Sequence, residues 1–368
     1  MACPWLFNSA RRSVRMSVCW RGVRRSKHRY GDRIVIRFPA VAMSFFQTIA
    51  AVLLLAACAA GQLPVQPPAW NSLTPISADS TEQESGWQSG AVMPTARSEM
   101  RVAVVDGIFY VPGGFGGLTS FEAYDPASDS WTALASMPEP AHHMMVTAQN
   151  GKVFIFGGGP DLSWQATASI LVYDPATDTW TKAGLMPERR MSGEAVLLGE
   201  FIFLVGGTGG TTALLRYDPA YDSWSVLPGP SQPREHVAAV AFNDELWVIG
   251  GRWGGTGALA TVEIFDPASG EWRDGPSMNE ARSGFGAAVV GDRIVVAGGE
   301  ILGARPWTAL ASAEVYDTES GAWTLLPELP VGIHGMPVVG YGGTAFVLGG
   351  SDRAGGIDNR GRVLKLSP

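Results

Sequence analysis

Cysteine is nearly absent. The 368 residues hold three, Cys3, Cys19 and Cys58, so nothing after position 58 can form a disulfide or offer a thiolate to a metal. Basic residues are scarce too once the first stretch is passed. Residues 1–42 carry ten Lys/Arg against Asp32 alone, a sum of +9, which leaves 17 basic and 33 acidic residues from position 43 onward and a body of −16. Nucleic acid is gripped chiefly by Lys and Arg that neutralise phosphates, so no nucleic-acid partner is expected of such a body. No charge at all falls between Arg37 and Cys58.

That uncharged stretch follows the basic run and ends in small residues, the make-up of a secretory leader. Its last residues, Leu55-Ala-Ala-Cys58, resemble the bacterial lipobox, which implies an acylated Cys58 as the mature N-terminus. An uncleaved membrane anchor is the other reading. The 34 residues before Val35 are long for the basic part of a leader, so translation from Val35 or Met43 is expected. Residues 1–57 are thus assigned to targeting. Residues 58–86, with Pro64, Pro67, Pro68 and Pro75 among Ser, Thr, Gln and Glu, form a lipidated tether without a core. The folded body, 87–368, is expected outside the cytoplasm, lipid-anchored to the cell membrane; two or more acyl chains hold a protein there stably.

Internal repetition organises the rest. Gly-Gly pairs end apolar runs at 113–114, 157–158, 206–207, 250–251, 298–299 and 349–350, in steps of 44, 49, 44, 48 and 51. After each of the first five comes an aromatic-Asp pair with a Trp seven residues beyond the aromatic: Tyr124/Trp131, Tyr173/Trp180, Tyr217/Trp224, Phe265/Trp272 and Tyr316/Trp323. A fixed seven against a varying total means a fixed hairpin and free loops before it. Each unit reads as four strands: small apolar residues near an axis (Val237-Ala-Ala-Val), a tight turn such as Asp106-Gly107, a bulky run into Gly-Gly, then the two strands around Asp-Pro and Trp. One such sheet cannot bury both faces, so units must stack, and a period near 45 residues with four strands points to propeller blades.

The pattern resembles the kelch repeat from Trp87 to Pro368, and the resemblance implies an all-β, six-bladed kelch-type propeller of four-stranded antiparallel blades. The sixth unit ends after Arg362-Val-Leu-Lys-Leu-Ser-Pro without a Trp, while Trp87-Gln-Ser-Gly-Ala-Val-Met-Pro matches Trp131-Thr-Ala-Leu-Ala-Ser-Met-Pro. The N-terminal strand should therefore complete the last blade and close the ring, removing open edges. The repeat Trp and Tyr are expected between blades. Acids four apart (Asp125/Asp129, Asp174/Asp178, Asp218/Asp222) are expected to cap turns rather than bind calcium.

Candidate functional residues follow from the loops between second and third strands, which span 14–17 residues in blades 2, 4, 5 and 6 against 10 in blades 1 and 3. Trp164, Trp253 and Trp307 lie in these loops, near Arg252, Arg305, Asp352 and Arg353. Aromatics beside charged groups suit stacking on sugars or gripping a peptide; the alternative is that each Trp covers its own blade. Counting two residues on from Arg97, Arg190, Arg234 and Arg282 gives the inner register Glu99, His143, Ser192, His236, Gly284 and His334. In kelch propellers this register faces the central pocket and often contacts ligand. His143, His236 and His334 on alternate blades also make a possible metal trio, although neither a metal nor a cofactor is the expectation. Gly298-Gly-Glu300 followed by Arg305 loosely resembles the acid–base pair of periplasmic sialate mutarotases, themselves six-bladed kelch proteins. That likeness makes Glu300 and Arg305 the catalytic candidates. Copper chemistry of the galactose-oxidase kind is not expected, since its cross-linked Cys is missing. The expected activity is non-catalytic binding of a glycan or an extracytoplasmic protein; a sugar epimerase or mutarotase is the alternative.

Overall fold

A computed structural model describes residues 86–254, 257–303 and 306–368. The leader, Cys58, nearly all of the tether and Arg305 lie outside the described residues. Six four-stranded antiparallel sheets follow one another along the chain. Blade 1 consists of Ala103–Val105, Ile108–Pro112, Phe121–Asp125 and Ser130–Ala133; blades 2 to 5 repeat that order, blade 5 with a small hairpin, Glu300–Ile301 against Thr308–Ala309, inserted in its loop. Blade 6 takes Val338–Tyr341, Thr344–Leu348 and Val363–Leu366 from the C-terminus and Gln88–Ser89 from the N-terminus. Gln88 pairs with Lys365 and Ser89 with Leu364. The ring is closed as the sequence requires.

The repeat residues explain why the blades stay together. Each hairpin pairs its aromatic with its Trp, as in Tyr124 opposite Trp131. The indole N–H then reaches back to a carbonyl of the preceding blade: Trp131 to Ala91 at 2.8 Å, Trp180 to Ala135 at 2.7 Å, Trp272 to Pro228 at 2.8 Å and Trp323 to Pro276 at 2.8 Å. Trp87, fully buried, does the same to Pro327 at 2.9 Å and so ties blade 6 to blade 5. Of the paired acids, the first caps its turn, Asp125 accepting from Ala127 N at 2.8 Å. The second spans blades: Asp178 accepts from Tyr173 Oη at 2.7 Å and from Ala135 N at 2.9 Å.

Under the loop face lies a row of buried arginines. Arg97, Arg234 and Arg282 each pair with a buried glutamate on the third strand of their own blade, Glu122 (2.7 Å), Glu263 (2.6 Å) and Glu314 (2.8 Å). Each also donates to the carbonyl of the first glycine of its Gly-Gly pair, Gly113, Gly250 and Gly298. Blades 2 and 6 carry Ala141 with Leu171 and Ile333 with Leu364 at the same places, all buried in apolar clusters. Blade 3 has buried Arg190 with Leu215 at the glutamate's place, and that guanidinium pairs instead with Glu188 of its own loop and with the Thr211 and Ala213 carbonyls. None of these described arginines is left without a carboxylate, which is what the cost of a lone buried ion demands. The innermost strands surround a cavity of about 310 Å³ whose charged members are Arg101 and Glu194, 2.9 Å apart.

Candidate functional site

Six residues form a closed circle of backbone hydrogen bonds at the loop end of the channel. Glu99 O accepts from His143 N (2.8 Å), His143 O from Ser192 N (2.8 Å), Ser192 O from His236 N (2.7 Å), His236 O from Gly284 N (2.9 Å), Gly284 O from Gly335 N (2.7 Å) and Gly335 O from Glu99 N (2.6 Å). All six have left-handed φ, from 49° at His236 to 65° at Gly335. Turning the backbone this way lets each blade hand its hydrogen bond to the next. The cost of that conformation is absent for glycine but of order 1 kcal/mol or more for Glu99, His143, Ser192 and His236.

One expectation is corrected here. The sixth member of the circle is Gly335, not His334. Blade 6 has Ile333 where other blades have arginine, so the count lost its anchor. His334 sits one residue earlier and bridges to Ser351, as His142 does to Gly159, Glu235 to Arg252 and Ser283 to Glu300. A Cβ on Gly335 would come within 2.7 Å of Glu99 Oε1, so glycine there leaves room for the Glu99 carboxylate.

Inside the circle the predicted residues meet. His143 Nε2 is 3.0 Å from His236 Nε2 and 3.2 Å from Glu99 Oε2. These three side chains, all buried, present one donor atom each within 4.8 Å of one another and could hold a metal ion. His334 belongs to a different contact, with its Nε2 3.5 Å from Glu300 Oε2 and 3.9 Å from Glu99 Oε1. Arg252 joins two acids: its Nε donates to Glu235 Oε1 at 2.7 Å and its Nη1 to Glu300 Oε1 at 2.5 Å. Glu235 bonds in turn to His236 Nδ1. Behind His143 stands His142, with Nδ1 atoms 2.6 Å apart, and His142 Nε2 lies 2.8 Å from Asp161 O.

Burial dominates the electrostatics. It lowers the His142 pKa, and it holds His143 well below the ordinary imidazole value, helped by the neighbouring charges of His236 and His142. For Glu235 burial acts the other way, yet His236 and Arg252 outweigh it and keep the carboxyl below its usual value. Glu300 is likewise held down against burial by His334, Arg252 and the Gly355 amide, which donates to its Oε2 at 2.6 Å.

The loop tryptophans divide. Trp164, half exposed, sets its edge against His143 and His142 with centroids at 5.1 and 5.7 Å, beside Phe115. Trp307, 41% exposed, lines an open cavity of about 570 Å³ together with Pro306, Arg353, Ala354 and Gly355. Trp253 is half-buried beside Arg252. Asp352 is spent on Arg360 at 2.7 Å and is not among the residues lining that cavity. Sequence reasoning missed His142, Glu235, Ser283 and Phe115. A usable signal existed: the residue after each Gly-Gly bridges to the one before the circle, as Arg252 does to Glu235.

A closed ring of six blades with polar groups gathered at its loop end defines a kelch-type propeller. The Kelch motif model matches residues 96–138, 141–187, 233–279 and 281–330, just over half of the chain, and the chain belongs to that family. Segments of it are similar to beta-scruin of Limulus polyphemus (38% identical over 76 residues, 20% of this chain and 8% of that protein). They are similar also to Kelch-like protein 35 of Homo sapiens (39% over 75 residues; 20% and 13%) and Kelch-like protein 38 of Rattus norvegicus (30% over 170 residues; 45% and 29%). The matched segments thus span less than a third of these relatives' length. Among solved structures, YjhT shares the fold with a TM-score of 0.66 at 19% identity, over 74% of this chain and 95% of that one.

Proposed function

We propose that this propeller is a recognition module that takes a glycan at the loop face of blades 5 and 6. The observation that carries the reading is the open cavity lined by Trp307, Arg353 and Gly355, the last with its amide tied to Glu300. An aromatic face and a guanidinium lining one open cavity supply the stacking and polar groups that sugar rings need. A protein ligand at the same face is the competing occupant. The placement of the propeller outside the cytoplasm, anchored through a lipidated Cys58, belongs to the same proposal and rests on the leader sequence.

A sugar epimerase or mutarotase is the second reading, favoured by the proximity of Glu300 to His334 and Arg252. It ranks lower because both Glu300 oxygens are engaged, by Arg252 and Gly355 N, and the carboxyl is held below its usual value. Such a group is a poor proton donor at neutral pH. The test is a glycan array with the purified full chain, followed by Trp307→Ala and Arg353→Ala at unchanged melting temperature. Both variants should lose the signal. Retained binding in both removes the site. Catalysed anomer exchange that vanishes in Glu300→Gln would install the enzyme instead. For the anchor, incorporation of labelled fatty acid should disappear in Cys58→Ser.

A further inference from the structure

Three possible ligand atoms meet at the centre of the circle, and the hydrogen bonds behind them set the tautomers of the neutral rings. A carbonyl oxygen only accepts, so His142 Nε2, 2.8 Å from Asp161 O, holds a proton. As a neutral ring His142 then has a bare Nδ1, and His143 Nδ1, 2.6 Å away, is the donor to it. On the far side the Glu235 carboxylate accepts from His236 Nδ1. With the His143 and His236 rings neutral, both Nε2 atoms are bare. They face each other at 3.0 Å, with the acceptor-only Glu99 Oε2 3.2 Å from His143 Nε2. Buried lone pairs aimed at one another are costly unless a cation joins them.

We propose that Glu99, His143 and His236 bind one divalent transition-metal ion, zinc by the character of the donors. Two imidazoles and a carboxylate are a known zinc set that leaves a fourth position open, and bonds of about 2.0–2.2 Å to a tetrahedral ion separate its ligands by about 3.3–3.5 Å. The observed 3.0 and 3.2 Å need only a slight opening. The supporting groups are those that metal-bound imidazoles require, a carboxylate on one outer nitrogen and a hydrogen-bonded chain on the other. The backbone gives an independent reason. Blades 5 and 6 place glycine in the circle, yet blades 1, 2 and 4 hold Glu99, His143 and His236 at φ of 54°, 55° and 49°. Strain kept where glycine would relieve it indicates a gain from the side chains. The ion would link three of the six blades.

The full chain, purified in detergent, is analysed for metals, stripped with chelator and titrated with Zn²⁺ and Co²⁺. One equivalent of bound ion is expected, with visible ligand-field absorption for Co²⁺ and a higher melting temperature on re-addition. His236→Gln and Glu99→Gln should weaken binding by more than the roughly 10–100-fold that loss of a supporting group costs, and His142→Asn by about that amount. Trp307→Ala should leave metal affinity unchanged, which separates this idea from the glycan reading. The Co²⁺ spectrum of the unsubstituted protein decides even if a variant misfolds. A stripped protein with neither spectrum nor thermal shift overturns the proposal, as does His236→Gln binding Zn²⁺ undiminished.

Discussion

Replacing Glu314 with leucine tests the rule that charges under the loop face are kept in pairs. Arg282 and Glu314 are both 0% exposed and 2.8 Å apart. Glu314→Leu removes the fully buried carboxylate partner of that guanidinium and leaves it the Gly298 and Ser312 carbonyls, the Ser312 hydroxyl and the partly exposed Glu280 carboxylate at 3.7 Å. Removing one member of a buried pair costs about 3–5 kcal/mol, and Arg282→Ile alone falls in the same range. The double variant reproduces the Ile333/Leu364 combination native to blade 6 and removes both charges together. What it leaves unpaired is neutral: the Gly298 carbonyl and the Asn279 and Glu280 amides that Glu314 accepted from. At about 1 kcal/mol net for each lost hydrogen bond, the double should cost about 3 kcal/mol. The two singles together would predict about 6–10 kcal/mol, so a coupling of at least about 3 kcal/mol is expected. Guanidinium titrations followed by far-UV circular dichroism measure all four corners of the cycle. Costs that simply add, to within about 0.5 kcal/mol, would falsify the claim that the ions matter to each other more than to their surroundings.

Three further outcomes are expected. Glu194 in the channel has its carboxyl pushed up to about 7 by burial, with Arg101 opposing. The native state therefore holds more protons than the unfolded chain between about pH 4.5 and pH 7, and stability should fall as pH rises through that window; Glu194→Gln should flatten the slope, and an unchanged pH profile would contradict the assignment. Trp87→Ala removes a fully buried indole and its bond to Pro327. It should cost about 3–5 kcal/mol and speed amide exchange in Gln88–Ser89 and Val363–Leu366 first, and uniform exchange across all blades would argue against local opening at the closure. Ser192→Gly relieves positive φ at the circle position with no role in the proposed site. It should leave stability unchanged or raise it by up to about 1 kcal/mol, measured by the denaturation midpoint, whereas a clear loss would mean that the Ser192 side chain has a job not recognised.

The fold was legible because its signals are local and repeated. A Trp seven residues beyond an aromatic sits opposite it across a hairpin, and that short-range pairing aims the indole at the neighbouring blade. Trp87 could be matched to Trp131 for the same reason. The site was only half legible. Glu99, His143 and His236 were found because arginines two residues upstream, or the spacing of blade 2, marked their place. His334 was misplaced by one residue, since Ile333 carries no such mark. Glu235 was invisible for a different reason: its meaning lies in a bridge to Arg252, seventeen residues away, fixed by cross-strand alignment and not by any motif.

That difference explains where this chain departs from its own repeat. The outer strands and hairpins must all solve one problem, blade against blade, and their residues recur. Each circle position must satisfy only the backbone relay, a demand glycine meets at no conformational cost. Any other residue there bears the strain of a left-handed φ. Ser192 shows that a small polar residue also fits, so the circle does not require ligating groups. Two imidazoles and a carboxylate brought to about hydrogen-bonding distance, with their outer nitrogens already committed to Glu235 and His142, are therefore not a by-product of closing the ring. The backbone relay alone would be served as well by three glycines, with less strain.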